Sequence, residues 1–295
     1  MDEQDWLADR FEERRAHLRA VAYRMLGSLA EADDAVQDTW LRVSRSGAGN
    51  VENLGAWLTT IVARVCLNVL RSRSTRREEE LGPHLPDPEV RSPEDEALLA
   101  DSVSLALLVV LDTLTPSERL AFVLHDMFQL PFDEIAPMVD CSPAAARQLA
   151  SRARRRVKGA EIPAPDADLA RQRQVVDAFF QAARGGDFDA LVALLDPDVV
   201  LRSDTGGRRP GIPSVIQGAA AVARQARPVP NSELLPATVN GAPGVVVTVG
   251  GRPIVVMGFI VAGGRILEID AIADPARVRR VAAAVLDAGV GTDRR

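Results

Sequence analysis

The stretch PFDEIAPMVDCSPAAARQLASRARRRVK, residues 131–158, decides how the chain is read. Ser142 followed by Pro143 is a helix start, a side-chain cap with proline at the first helical position. Downstream, Ala146, Leu149, Ala150, Ala153 and Val157 recur at helical spacing and predict a buried stripe. The same spacing pushes Arg147, Gln148, Ser151, Arg152 and Arg155 outward. Upstream, Pro131–Val139 predicts a first helix and Asp140-Cys141-Ser142 a tight turn, which is the order of a helix-turn-helix. Six basic residues and no acid lie between Arg147 and Lys158, in a chain of 295 residues with net charge −6. A cationic surplus confined to one helix of an acidic protein points to a local polyanion contact, most simply a DNA major groove. Arginine and glutamine read guanine and adenine edges, at about 1–3 kcal/mol for each bidentate pair. Arg154, Arg156 and Lys158 are spaced for phosphates, which position without specifying.

Working outward, Thr115-Pro116-Ser117-Glu118 opens a further helix with a capping-box spacing. Nearer the N-terminus, EADDAVQDTWLRV (31–43) buries Ala32, Ala35, Val36, Thr39, Trp40 and Val43 at helical spacing. Its other face carries Asp33, Asp34, Gln37, Asp38 and Arg42 beside an exposed Leu41. Such a ridge is either a solvated acidic surface or a docking face for a protein partner. In WLTTIVARVCLNVLRSRSTRR (57–77), Leu58, Ile61, Val62, Val65 and Val69 turn inward, while Thr60, Arg64, Asn68 and Arg71 share another face. Arg73, Arg76 and Arg77 add cation at the helix end, where they also suit the helix dipole. A polar loop, Ser44–Gly55, which includes Asn53, precedes this helix. A basic helix face beside a polar loop can hold a nucleic-acid backbone and accept an unstacked base. Trp40 and Trp57 are expected in the core rather than as stacking platforms.

Composition divides the chain. Residues 1–78 contain no proline, residues 79–97 are dense in proline and charge, and 98–160 are again helical. The proline-dense segment is expected to be a linker. Composition begins to change at about 72, and fully extended the roughly 25 residues of 72–97 reach roughly 80 Å, so the flanking modules could touch separated sites on one duplex. A second, shorter linker spans 161–168. From 169 to 295 helices at Leu169–Arg184 and Phe188–Leu195 precede Val- and Ile-rich runs. Asn240-Gly241, Gly250-Gly251 and Gly263-Gly264 separate those runs, the signature of consecutive hairpins. The expected fold class is therefore mainly α over two modules, the second with the helix-turn-helix, followed by an α+β domain.

Two cysteines, Cys66 and Cys141, form no disulfide framework, and His17, His84 and His125 lie too far apart to suggest a metal cluster. No cofactor is expected. An acidic MDEQDW start without a signal peptide, and a longest apolar run of only Leu105–Leu111, point to a cytoplasmic protein without a membrane partner.

Three stretches, AYRMLGSLAEADDAVQDTWLRV, AWLTTIVARVCLNVLRSR and LDTLTPSERLAFVLHDMFQLPFDEIAPMVDCSPAAARQLASRARRRVK, together resemble the extracytoplasmic-function sigma factors of bacterial RNA polymerase, in order and in spacing. The resemblance implies that 1–78 is sigma region 2 and 98–160 region 4. It implies that Asp33, Asp34, Gln37, Asp38 and Leu41 bind core polymerase at the clamp of the β′ subunit. Asn53, Arg64, Asn68, Arg71 and Arg73 would engage the promoter −10 element, and Arg147, Gln148, Ser151, Arg152 and Arg155 the −35 element.

Beyond residue 169, RQRQVVDAFFQAARGGDFDALVALLDPDVVLRSD resembles the sigma-J-like subgroup, whose C-terminal SnoaL-like domain is a curved sheet wrapped by helices around a pocket. Three subgroup motifs are partly kept. His84-Leu85-Pro86-Asp87-Pro88 has histidine where the subgroup has tryptophan. Asp204-Thr205-Gly206-Gly207-Arg208 resembles an Asp-Gly-Gly-Gly-Lys loop, and Asp274-Pro275-Ala276-Arg277-Val278 a terminal Asn-Pro motif. The resemblance implies regulation in cis through Pro86, Asp87, Pro88, Asp204, Gly206, Gly207 and Arg208. An unidentified small ligand in the pocket is compatible with it.

Some SnoaL-like domains are cyclases with an acid/base pair, but from residue 169 onward this chain has no His, Tyr, Trp or Cys. Alternation puts Glu268 and Asp270 on one face of Ile266–Ile272, where they are expected to meet solvent. Catalysis is not expected. Two alternatives remain at this point: a ligand-responsive helix-turn-helix regulator with the α+β domain as sensor, and a cyclase or isomerase fused to a DNA-binding module.

Overall fold

The computed structural model describes residues 3–46, 51, 53–76, 85–93, 103–160, 165–206, 214–283 and 285–286. They form two compact units. One contains Met1–Leu81 with Ala106–Glu161, and the other Gly82–Leu105 with Ile162–Arg295.

The first unit is helical: α1 (Glu3–Leu26), α2 (Leu29–Ser46), α3 (Leu54–Arg76), α4 (Leu105–Asp112), α5 (Pro116–Phe122), α6 (Phe132–Ile135) and α7 (Pro143–Gly159). The capping box of α5 is closed from both sides, with Glu118 N–H donating to Thr115 Oγ1 at 3.4 Å and Thr115 N–H to Glu118 Oε2 at 3.2 Å. Residues expected to form two tethered modules share one core. Leu18, Met25, Leu58, Leu108, Leu120 and Ile135 are all fully buried, and α3 packs on α5. Arg119, only 2% exposed, donates from Nε to the Arg24 carbonyl at 3.3 Å and from Nη1 to Asp112 Oδ1 at 3.1 Å. The Phe128 ring takes the edge of His17 at 5.2 Å and the Arg24 guanidinium at 5.0 Å. Helical periodicity tells which face of α5 is buried but not which helix buries it. Over Leu54–Arg73, α3 is long and apolar enough to cross a membrane; here it packs against α1 and α2.

The second unit is built on a seven-stranded sheet of order β1-β4-β5-β6-β7-β2-β3. The strands are β1 (Val90–Arg91), β2 (Leu195–Asp204), β3 (Val215–Gln217), β4 (Ser232–Val239), β5 (Ala242–Val249), β6 (Arg252–Ala262) and β7 (Arg265–Ile272). All neighbours run antiparallel except β2 and β7, which pair in parallel, Leu201 opposite Ile269. The three dipeptide turns form as read: both residues of Asn240-Gly241, Gly250-Gly251 and Gly263-Gly264 have positive φ, as a two-residue type I′ hairpin requires. Helices α8 (Leu169–Gly185), α9 (Phe188–Leu194) and α10 (Ala219–Gln225) close over the sheet around Phe179, Leu191, Val222, Val245, Phe259 and Ile269. Helix α11 (Pro275–Val281) packs on β6.

The proline-dense segment differs from its expectation as a free strap. Leu85, Asp87 and Val90 are buried, and Val90–Arg91 pairs with β4 at the sheet edge. Prolines keep such a segment extended and remove amide donors, which suits a short edge strand. Asn240, in the positive-φ turn that follows β4, satisfies what remains. Its Oδ1 accepts from Glu89 N–H at 3.0 Å, and its Nδ2 donates to the Val103 carbonyl at 2.8 Å.

Candidate nucleic-acid interface

The helix-turn-helix has its predicted order with one change. Pro131–Val139 is not a single helix: α6 ends at Ile135 and a 3₁₀ turn, Ala136–Met138, replaces its second half. Pro137 has no amide hydrogen to continue the α-helical ladder. Asp140 makes the turn at φ 54°, and Ser142 caps α7 by accepting from Ala145 N–H at 3.2 Å. Ala146, Ala150 and Ala153 are fully buried, with Leu149 and Val157 half-buried beside them. Arg147, Gln148, Ser151, Arg152 and Arg155 are all exposed on the opposite face, and the Arg147 guanidinium lies 5.7 Å from the Phe132 ring centre. The face is therefore a row of long hydrogen-bonding side chains on a rigid helix.

Two arginines expected at phosphates are held by acids of their own unit. Arg154 pairs with Asp126 at 2.5 Å, and Arg156 pairs at 3.0 Å with Glu118, whose side chain is 6% exposed. Both partners lie some thirty to forty residues upstream, beyond the reach of helical spacing.

On α2, Asp33, Asp34, Gln37, Asp38 and Leu41 are exposed while Ala32, Ala35, Val36, Thr39 and Val43 are buried. Asp33 is paired with Arg19 at 2.6 Å and Asp38 with Arg42 at 3.0 Å. Leu41 stands 42% exposed among them. On α3, Arg64, Asn68 and Arg71 are exposed along one face, with Thr60 half-buried above them. Asn53 opens the helix by accepting from Ala56 N–H at 3.1 Å. Arg73 does not join that face: it pairs with Glu31 and donates to the Leu26 carbonyl at 3.0 Å. Of the preceding loop, Gly47–Asn50 and Glu52 lie outside the described residues. Trp40 is half-buried, its ring 5.1 Å from Phe11, and Trp57 is half-buried as well.

In the second unit, three sequence-distant motifs meet. Asp274 caps α11, accepting from Ala276 and Arg277 N–H at 3.0 and 2.9 Å. Arg277 then reaches Asp87 Oδ1 at 2.6 Å, Asp204 Oδ2 at 2.5 Å and the Leu85 carbonyl at 2.5 Å. Arg280 pairs with the other oxygen of Asp87 at 2.8 Å, and Leu85 N–H donates to Asp204 at 3.2 Å. Burial alone would raise the Asp87 carboxyl, but the two arginines outweigh it and hold it below the usual carboxylate range. Gly206 completes the clasp at φ 61°, donating to Asp204 Oδ1 at 2.9 Å. A Cβ there would lie 2.3 Å from the Asp274 carboxylate. Pro86 and Pro88 flank Asp87, and both are buried. His84, Gly207 and Arg208 lie outside the described residues.

Comparison with known proteins bears on the same segments. The Sigma-70 region 2 family matches residues 11–76 and the Sigma-70 region 4 family residues 104–157. The extracytoplasmic-function sigma factor SigJ of Mycobacterium tuberculosis is 42% identical over 220 residues, 72% of this chain and 70% of SigJ. The probable sigma factor SigI of the same organism is 34% identical over 93% of this chain and 96% of its own length. The SigJ crystal structure superposes with a TM-score of 0.71 at 34% identity, over 92% of this chain and 97% of that one. The chain belongs to the extracytoplasmic-function sigma factors.

A sigma factor is a transcription initiation factor and not an enzyme. Among the described residues, the cavity of the SnoaL-like second unit is lined by no Asp, Glu, His, Tyr or Cys. Glu268 and Asp270, expected to meet solvent, are instead turned against Arg202, at 2.9 and 3.3 Å, and Asp270 is 4% exposed. Alternation fixes which residues share a face, not whether that face is wet. The residues that sequence reasoning missed are Arg277 and Arg280. Arg277 lies within the terminal motif already quoted, and an arginine two residues after a helix-starting proline was the available signal.

Proposed function

We propose that this sigma factor joins core RNA polymerase through the Asp33–Leu41 ridge of α2, seated on the clamp of the β′ subunit. Asn53, Arg64, Asn68 and Arg71 then engage the −10 element, and Arg147, Gln148, Ser151, Arg152 and Arg155 read the −35 element. In this assignment region 2 covers 1–78 and region 4 covers 98–160, and the protein acts in the cytoplasm, where polymerase and promoters are. The observation that carries the reading is that three polar faces stand exposed on helices whose apolar stripes are buried or half-buried. Exposed arginine and glutamine on a cap-anchored helix suit base edges.

The second unit acts in cis on the strap between the two promoter-reading modules. With Leu85–Arg91 clasped by Arg277 and paired to β4, the strap is divided into two arms. Arms of about 9–13 residues hold each module within about 30–45 Å of the clasp. The clasp therefore biases which relative placements of the modules are populated, and so the fraction competent to span a promoter.

Transcription from core polymerase, the full chain and a promoter library randomised at both elements tests the reading. Promoter-dependent transcripts are expected, and they should vanish with Asp34→Lys combined with Gln37→Lys at unchanged thermal stability. No initiation, or transcripts indifferent to those substitutions, overturns it. For the cis role, Arg277→Gln should change transcript yield; equal yields overturn it.

A further inference from the structure

The second unit encloses a cavity of about 160 Å³ between α8, α10 and the sheet. Its floor and walls are apolar: Phe179, Val222, Val247 and Ile269 are buried, with Leu201 and Met257 half-buried beside them. Its open end carries Arg184, Gln225 and Arg227, all exposed. Among the described residues no acidic side chain lines it. Neither Arg184 nor Arg227 makes a side-chain hydrogen bond or ion pair among the described residues, in a chain whose net charge is −6.

Two features select the ligand. An apolar cavity of about 150 Å³ takes a benzene-sized molecule, so this one fits a single ring or a chain of about six carbons. Two unpaired guanidinium groups at the rim of an apolar hole favour a carboxylate, which arginine grips with two parallel hydrogen bonds. We propose that the cavity is a binding site for a small monocarboxylic acid with an apolar body of one ring or about six carbons. The body fills the cavity and the carboxylate sits between Arg184 and Arg227. The described lining offers no carboxylate, imidazole, phenol or thiol, so the site binds the acid rather than turning it over.

Titration calorimetry of the full chain with benzoate, hexanoate and the uncharged isostere benzamide tests this without polymerase, so its outcome is independent of the promoter-reading assignment. Saturable binding of benzoate or hexanoate is expected, with benzamide at least tenfold weaker. Arg184→Gln with Arg227→Gln should weaken benzoate at least tenfold and leave benzamide unchanged; both sites are exposed, so folding is spared. Val247→Phe, which fills the floor, should abolish binding of all three. Absence of saturable binding by both acids overturns the proposal. So does equal binding of benzoate and benzamide, or benzoate binding unaltered in the double arginine variant.

Discussion

Arg277 and Asp87 are joined by a 2.6 Å hydrogen-bonded ion pair across 190 residues of sequence, both side chains at least nine-tenths buried. The pair ties the segment linking the two sigma modules to the last helix of the second unit. Around it Asp87 and Asp204 face Arg277 and Arg280.

Removing Arg277 takes a guanidinium from two buried carboxylates, Asp87 and Asp204. Breaking a buried pair from one side costs about 3–5 kcal/mol. Arg277→Gln should lower the unfolding temperature of the second unit and strip exchange protection from the Leu85 amide, which donates to Asp204. Hydrogen exchange of that amide checks it directly. Unchanged protection would mean that the β1 pairing alone holds the segment.

The clasp also defines what sequence could and could not reveal. Capping at Thr115 and Ser142, the stripe of Ala146, Ala150 and Ala153, and the three positive-φ hairpin turns are local, governed by neighbours within a few residues, and all were legible. Arg277 with Asp87, Arg156 with Glu118 and Arg73 with Glu31 are contacts across loops and helices. No periodicity encodes them. Hence the outward faces of α2, α3 and α7 were readable as faces, whereas which of their arginines remain available was not.

That distinction separates Arg155 from Arg156. Arg155 is exposed on the face of α7 proposed to read the −35 element, and Arg155→Ala should weaken promoter binding or relax one −35 base by about 1–3 kcal/mol. Arg156→Ala instead leaves Glu118 buried without its cation. It should lower the thermal stability of the first unit while the salt dependence of DNA binding stays unchanged. A salt slope reduced by about one would return Arg156 to the phosphate backbone.

Between the two sigma modules, Arg119 is the buried charged link, contacting Asp112 and the Arg24 carbonyl. Arg119→Met keeps the apolar stem and removes both bonds. It should destabilise the first unit by about 3 kcal/mol, the low end for a buried pair whose acid keeps some water. Chemical denaturation measures the loss, and an unchanged midpoint would assign the packing to the apolar core alone.

A last consequence concerns pH. Asp270 shares one guanidinium, Arg202, with Glu268, so this cluster holds two carboxylates and one cation. Burial pushes the Asp270 carboxyl up, Arg202 pulls it down only in part, and Glu268 raises it again, to about 6. In the unfolded chain an aspartate titrates near about 3.9. Between those values the folded state binds more protons than the unfolded state, so stability falls as pH rises from about 4 to 6 and is constant above. Acidification from pH 7 to 5 should therefore stabilise the second unit. Asp87, held low, contributes in the opposite sense, but its stabilisation is lost only below about 3.9, outside that window. Asp270→Asn should raise the unfolding temperature at pH 7 and flatten the dependence between pH 5 and 7, since Glu268 remains to pair with Arg202. Thermal unfolding of both proteins across that range decides it: a wild-type stability that rises with pH there would mean that Asp270 is ionised without cost.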